Sequence, residues 1–350
     1  MPNPQLWPIL LVGGQRKAEL EALLVSLLVE ETWEGLYRCE ATFDNWSDDG
    51  LRFDDRSTLE FGKPFVVKMG DENGAVAIFD GKIMGLEGLF PRDTAPMLTV
   101  LAEDRLQDLR MNRHTRSFEK ISDSAVISQV ISDAGLSASV SVQGFEQHEV
   151  IVQMNQSDLA FIRERARAVD AEVWAEGSTV HVGARSSRAA GEVTLTYAED
   201  LLEFSVLADL AGQRSEVHAT GWDVTTKEAI TVTAAASAIS SELGSLTGGS
   251  AVLESALGAR LEQVVHHQPA AQGEAKFLAE ATYRRLARRF LTGVGQAEGT
   301  PALKVGCKVT LKGLGALFSG AYYVTEVRHM VDRNLGYRTQ FRVERPGIGG

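Results

Sequence analysis

Glu262, His266 and His267 are the residues in this 350-residue chain that come nearest to a metal-ligand spacing. A carboxylate and an imidazole four positions apart on a helix would share a face. A further ligand is not visible nearby, so they are read as an ordinary solvated or interface group, and no metal is expected. Gly313-Leu314-Gly315 begins like a dinucleotide loop, but the next glycine is Gly320 and a strand-like run follows where that motif needs a helix. No cofactor is expected. The acidic pairs Asp48-Asp49, Asp54-Asp55 and Glu199-Asp200 lie in turn-like surroundings. Sequence neighbours point apart on a strand, so these pairs are read as solvated turns and not as an acid–base couple. Neither a Gly-x-Ser-x-Gly elbow, a His-Glu-x-x-His pair nor a phosphate-binding loop occurs. No catalytic residue is assigned, and the chain is not expected to be an enzyme. His329 is read as a packed or channel-facing residue. Trp7, Trp33, Trp46, Trp174 and Trp222 are scattered and form no stacking platform for single strands.

The most conspicuous charged feature is Arg284, Arg285, Arg288 and Arg289, on a segment from Lys276 to Leu291 with helical spacing. Phe277, Tyr283, Leu286 and Phe290 occupy its other side. A solvated helix face is the plainer reading of these arginines; an anion- or partner-binding patch is the sharper one. The whole chain carries a net charge of -12 and a pI near 5.2, a field that repels polyanions, so nucleic acid and acidic bilayers are not expected partners. Cys39 and Cys307 are far apart in sequence and in no metal spacing, and are read as inert buried thiols. The apolar runs Trp7–Val12 and Leu23–Val29 fall short of the roughly 20 residues a membrane-spanning helix needs. Met1-Pro-Asn-Pro-Gln5 has no positive lead before its apolar run, so a secretory signal is not expected.

Four regions differ in character, and together they predict an α+β, mainly β fold. Residues 1–110 read as a first β-barrel domain. Its apolar or alternating runs are Leu36–Phe43, Phe65–Met69, Ala75–Phe79 and Leu98–Leu101. Ser47-Asp-Asp-Gly50 and Asn73-Gly74 supply turn chemistry between them. Residues 111–198 read as an α+β domain. One helix spans about 124–134 with Ser122 or Asp123 as cap and Gly135 as stop. A second opens at Ser157, buries Leu159, Ile162, Ala166 and Val169, and leaves Arg163, Glu164, Arg165 and Arg167 to solvent. Strands are expected at Glu172–Ala175, Thr179–Val182 and Val193–Tyr197. Residues 199–229 together with 292–350 read as a second barrel. Residues 230–291 read as an Ala/Ser/Gly-rich insertion ending in the arginine helix.

The two barrel regions share text. Gly62-Lys-Pro-Phe-Val-Val-Lys68 returns as Gly306-Cys-Lys-Val-Thr-Leu-Lys312, Phe79-Asp-Gly81 as Phe318-Ser-Gly320, and Thr99–Arg105 as Thr339–Arg345, at offsets of 244, 239 and 240 residues. Order is kept and hairpin loops absorb the differences, which is the pattern of a duplicated domain. Three copies of such a chain would present six similar units, so one ring could meet a six-fold structure on one side and a three-fold one on the other.

Several segments resemble the phage late control gene D protein family, which includes myophage baseplate hubs and the amino-terminal part of VgrG spikes. They are Gln153-Met-Asn-Gln-Ser-Asp-Leu-Ala-Phe-Ile-Arg163 with Val169–Trp174, the run Gly320-Ala-Tyr-Tyr-Val-Thr-Glu-Val-Arg-His329 continuing to Gly336–Phe341, and the segment Ile121–Leu136. The resemblance implies a homotrimer whose two barrels line a channel. It also implies a tail tube protein on one side, a spike protein on the other and baseplate wedge proteins at the rim. It places the chain in a particle assembled in the bacterial cytoplasm. The sequence closes at Arg345-Pro-Gly-Ile-Gly-Gly350, without the needle that some relatives carry, so the spike is expected on a separate or longer polypeptide. A baseplate-borne cell-wall hydrolase and an effector adaptor or chaperone are the other readings the residues leave open.

Overall fold

The computed structural model describes residues 6–53, 55, 57–70, 74–144, 147–265 and 267–349. Met1–Gln5, Asp54, Asn73, His266 and Gly350, all invoked above, lie outside the described residues. The chain is mainly β with helices packed at its margins, as the composition of its periodic segments predicts.

Among the described residues, thirteen strands join one sheet built from two ladders of like order. The first runs Pro64–Met69, Val76–Leu89, Met97–Glu103, Arg38–Asp44 and Leu24–Thr32. The second runs Lys308–Lys312, Gly320–Asp332, Gly336–Arg345, Leu291–Glu298 and Leu201–Ala208. Their rungs correspond. Val67 faces Phe79 as Leu311 faces Gly320, and Ile83 faces Ala102 as Val324 faces Val343. Cys39 bridges Ala102 and Val29 as Gly293 bridges Val343 and Val206. Two register irregularities fall on corresponding rungs, at Ile83/Gly85 and Val324/Glu326, and at Leu24/Ser26 and Leu201/Glu203. A bulge disturbs local pairing and bends its strand, so its recurrence at equivalent rungs marks a shared ladder more sharply than residue identity does.

This correspondence corrects the sequence alignment. Phe65 with Val309 and Val67 with Leu311 stand as read, all four buried. Phe79 answers to Gly320 instead of Phe318, which lies in a short helical turn at Gly315–Phe318. In the last pair the shared Thr and Arg pull the alignment one residue out of step: Val100 answers to Phe341 and not to Gln340. A one-residue slip exchanges the two faces of a strand, and burial decides the point, since Val100 and Phe341 are both buried.

Leu24–Thr32 joins the ladders by pairing antiparallel with Gly320–Asp332, from Ser26 opposite Asp332 to Thr32 opposite Glu326. Each ladder has its own apolar core. Leu10, Leu24, Phe43, Phe65 and Val100 belong to the first, and Leu195, Leu201, Val309, Tyr322 and Phe341 to the second.

The α+β unit forms as its start and stop signals predict. Ser122 and Ser157 cap the helices Asp123–Asp133 and Asp158–Ala168 by accepting from the Ala125 and Ala160 amides, both at 3.2 Å. Gly135 takes a positive φ of 75° just past the first of them, the left-handed conformation that glycine adopts without strain. Arg165 is not in solvent as its helical position predicts. It is buried and pairs with Asp123 at 2.6 Å.

The Ala/Ser-rich region is more ordered than its composition implies. Glu216–Asp223 pairs with Glu228–Ala234 and Leu261–Val264 in a separate sheet, so this strand sides with the insertion and not with the second ladder. The helix Gln272–Arg288 covers that sheet through Ala275, Ala279 and Tyr283, against Val217, Ala219 and Ile230. Small residues carry no strong hydrophobic period, which is why the segment resembles a loop in sequence.

His329 sits in the sheet core, 2% exposed, with Nδ1 2.8 Å from the Tyr337 hydroxyl. Burial, with the nearby Lys304 charge, pushes its pKa down to about 3. Below its ordinary value of 6.5 the unfolded chain takes up a proton that the folded chain refuses, so stability present above that pH is lost as pH falls toward 3. His329→Gln removes this titration, and its urea-unfolding free energy should fall less steeply between those two pH values than that of the parent. Parallel curves would show that His329 does not contribute to the acid limb.

Candidate functional site

The most concentrated polar chemistry lies where the two ladders meet the α+β unit. Arg188 is 5% exposed and reaches Glu172 at 3.2 Å, Glu31 at 3.1 Å and the Tyr37 hydroxyl, with its guanidinium 5.1 Å from the centre of the Trp174 ring. Glu31 comes from the first ladder, Glu172 from the α+β unit. Tyr323, on the second ladder, donates at 2.7 Å to the same Glu172 oxygen, Oε2, that Arg188 reaches. Arg185 bonds Glu172 at 3.1 Å, pairs with Glu344 of the second ladder and lies 3.9 Å over the Tyr323 ring. Burial works against the Arg188 charge, but its contacts with Tyr37, Glu31 and Glu172 outweigh it and hold the pKa above its ordinary value. Gly306, with a φ of 86°, makes room for this arginine: a Cβ there would stand 2.7 Å from Arg188 Cδ.

Beside this node opens a cleft of about 790 Å³. Arg185, Glu172 and Glu344 form part of its lining. Arg285, Leu286 and Arg289 of the Gln272–Arg288 helix and its C-terminal end flank it, with Leu207 and Val294 of the second ladder and Arg167 of the α+β unit. The four arginines singled out in the sequence therefore divide. Arg288 is buried and clamped between Asp170 at 2.6 Å and Glu242 at 2.6 Å. Burial opposes its charge, yet the hydrogen bonds to Glu242 and Asp170 prevail and raise its pKa. Arg284 bonds Glu280 at 2.9 Å and the Ala238 carbonyl at 2.8 Å. Arg285 and Arg289 line the cleft without a carboxylate within ion-pair distance among the described residues. Arg285 donates to the Thr282 hydroxyl at 3.1 Å, and burial pushes its pKa down. Arg289 is exposed.

The four-residue spacing of Glu262 and His266 implied a shared helix face; His266 lies outside the described residues, and Glu262 is on a strand and not on a helix. Glu262 lies on the strand Leu261–Val264 and pairs with Arg214 at 2.9 Å, while His267 sits 3.2 Å from Glu274. Among the described residues no group of three or more His, Cys, Asp or Glu side chains is arranged to hold a metal ion. His267 and Glu274 instead adjoin a second polar contact, in which His148 and Arg165 both bond Asp123, at 3.1 and 2.6 Å. Burial opposes ionisation of Asp123, but the His148 and Arg165 contacts hold its carboxyl below the ordinary range. Cys39 and Cys307 are buried, and burial pushes both thiols up.

A sequence-family profile described as the Alg8 N-terminal domain matches residues 29–333. The chain belongs to that family. The match takes in most of both ladders and everything between them, and the family description names a domain without an activity. No curated protein matches the chain in sequence. Among solved structures, the 43 kDa tail protein of prophage MuSo2 from Shewanella oneidensis is similar over 97% of this chain and 98% of its own, with a TM-score of 0.70 and 12% identity. The tail protein from Neisseria meningitidis MC58 gives a TM-score of 0.69 at 12% identity, over 99% and 98% of the two chains. The E. coli c3393 protein, a component of the type VI secretion system with structural similarity to the T4 bacteriophage tail proteins gp27 and gp5, gives 0.58 at 12% identity, over 93% and 76%. These likenesses establish a common fold.

Sequence reasoning did not find the Arg188 node. A signal was present: Glu30-Glu31 interrupts an apolar run from Leu23, and charged residues in such a run are rarely buried unless paired. Removing one member of a buried charge group leaves the others unpaired, at a cost of about 3–5 kcal/mol. Arg188→Met should therefore lower unfolding stability by about that amount, and Arg188→Lys, which cannot reproduce the fork, should not restore it. A urea midpoint unchanged by Arg188→Met would remove the node from the stability of the fold. On the helix, Arg288→Ala should cost about 1–3 kcal/mol through its stranded carboxylates, whereas Arg289→Ala should stay within about 0.5 kcal/mol. Equal losses in the same titration would mean that the division between clamped and free arginines is wrong.

Proposed function

We propose that this chain is a structural, non-enzymatic component of a contractile phage tail or a related injection particle, and that within it the chain acts as the central baseplate hub. The observation that carries the reading is the repeated ladder, with like strand order and like irregularities, inside a chain whose fold resembles tail proteins over its whole length. The finer assignment follows the resemblance to the late control gene D family. Each ladder closes into a barrel, and a homotrimer sets six such units around one channel. One face then meets a hexameric tail tube protein, the other a trimeric spike protein, with baseplate wedge proteins at the rim. The particle is assembled in the bacterial cytoplasm, and the hub takes neither a membrane nor a sequence-specific nucleic-acid partner.

The proposed units are 1–110, 111–198, 199–229 with 292–350, and 230–291, with the strand Glu216–Asp223 counted with the last because of its pairing. Arg285 and Arg289 are the proposed partner-binding part of the arginine patch, since Arg284 and Arg288 are engaged within the chain. Their partner would bring carboxylates into the cleft.

Light scattering on the purified chain, alone and with the tube and spike proteins of the same gene neighbourhood, tests the assignment. The expected species is a trimer that co-elutes with both. A chain that stays monomeric in their presence and binds neither would sink the hub reading.

A further inference from the structure

The ladder repeat maps a joint within the chain onto two strand edges that, among the described residues, are left almost wholly unpaired. Inside the chain, Leu24–Thr32 pairs with Gly320–Asp332. By the rung correspondence, the counterpart of Leu24–Thr32 is Leu201–Ala208, and the counterpart of Gly320–Asp332 is Val76–Leu89. Among the described residues, Leu201–Ala208 pairs along one side only, with Leu291–Glu298, apart from a single bridge between Tyr197 and Leu201. Pro64–Met69 parts from Val76–Leu89 at Lys82, and beyond Ile83 the latter pairs, among the described residues, only with Met97–Glu103. Each chain thus carries one open edge on each ladder, and open backbone edges pair with other chains unless something blocks them.

Burial marks the same edges. Leu27, Val29, Val327 and Val331 meet at the internal joint and are each at most 2% exposed. Their counterparts on the open edges are Phe204, Val206, Leu86 and Phe90. The first three are half-buried, and Phe90 is 64% exposed.

We infer that a second copy of this chain fills these edges, the Val76–Leu89 strand of one copy pairing antiparallel with the Leu201–Ala208 strand of the next. The inference rests on the ring reading above and gives it an interface. Transferring the internal register, where His329 faces Val29 and Met330 faces Leu28, sets Gly88 opposite Val206 and Leu89 opposite Ser205. Phe90 then lies against Phe204, and its exposed ring becomes covered. The two edges belong to different ladders, so the contact is head-to-tail and generates a closed ring if the rotation of the internal joint is repeated. The joints differ in chemistry. On the internal one, Glu30 binds Arg328 at 2.6 Å and Arg38. On the external one Leu207 stands where Glu30 does and faces Glu87, so that rung has no ion pair, and Phe204, Val206, Leu86 and Phe90 supply its apolar contact.

Cysteine pairing in the full-length chain tests the register. Leu89→Cys with Ser205→Cys places two thiols on directly opposed residues, within reach of a disulfide. Mild oxidation should convert the double variant into a ladder of covalent species ending at the ring. Either single variant, and the out-of-step pair Leu89→Cys with Leu207→Cys, should give at least tenfold less product. Phe90→Asp alters an exposed side chain, so the monomer should fold and its self-association should weaken at least tenfold. A chain that forms the ring but neither cross-links nor responds to Phe90→Asp overturns this interface and spares the hub reading. A product that stops at a reciprocal dimer overturns the head-to-tail order. A parent chain monomeric in every condition, tube and spike proteins included, overturns both.

Discussion

The guanidinium of Arg188 is the point on which three parts of the molecule converge. Glu31 reaches it from the first ladder and Glu172 from the α+β unit, while Tyr323 ties Glu172 to the second ladder. Buried ion groups are weak sources of net stability, because desolvating the charges offsets most of their attraction. Their strength lies in geometry: a planar fork surrounded by fixed acceptors is satisfied in one arrangement and costly in others. Apolar cores fill each ladder separately, and such cores tolerate changes in the relative placement of neighbours better than a shared charge does. The node ties the α+β unit to both ladders, which the pairing of Leu24–Thr32 with Gly320–Asp332 already joins, and beside it lies the cleft, whose lining includes Arg185, Glu172 and Glu344.

Two kinds of arginine stand around that cleft, and the difference between them is one of surroundings. Arg288 bridges Asp170, just past the end of the Asp158–Ala168 helix, to Glu242, so it fastens the insertion to the α+β unit. Arg285 and Arg289 lie one turn or less away on the same helix end, with their charges turned to the cleft. Four neighbouring residues of one type thus divide between architecture and surface.

Much of the architecture was legible in the residues. Alternation placed Pro64–Met69 and Met97–Glu103, capping serines placed both helices of the α+β unit, and the Gly62–Lys68 repeat led to the second ladder in the right register. The later repeat segments misaligned because their matches rest on residues at turns and on Thr and Arg, which need not keep to one face; the inward-facing Val100 and Phe341 share only apolarity. The strands Glu216–Asp223 and Glu228–Ala234 were hidden by Ala, Thr and Gly, which pack well under a helix but carry little hydrophobic signal. The Glu262 and His266 spacing presumed a helix where Leu261–Val264 is a strand. The arginine patch was visible as charge, but its division required Asp170 and Glu242, which lie far from it in sequence.

The joint between Leu24–Thr32 and Gly320–Asp332 also has a consequence in time. It links strands from opposite ends of the polypeptide, so nearly the whole chain must leave the ribosome before the first of them finds its neighbour. At synthesis rates of about 5–20 residues per second, that strand waits roughly 15–60 s with one side bare. Nascent chains on one messenger would be crowded together during that interval, each exposing the same adhesive ribbon. Glu31, set within an otherwise greasy stretch, gives that ribbon a charge that repels its own copies until Arg188, made much later, arrives to neutralise it, while Glu30 meets Arg38 early and Arg328 only at the end.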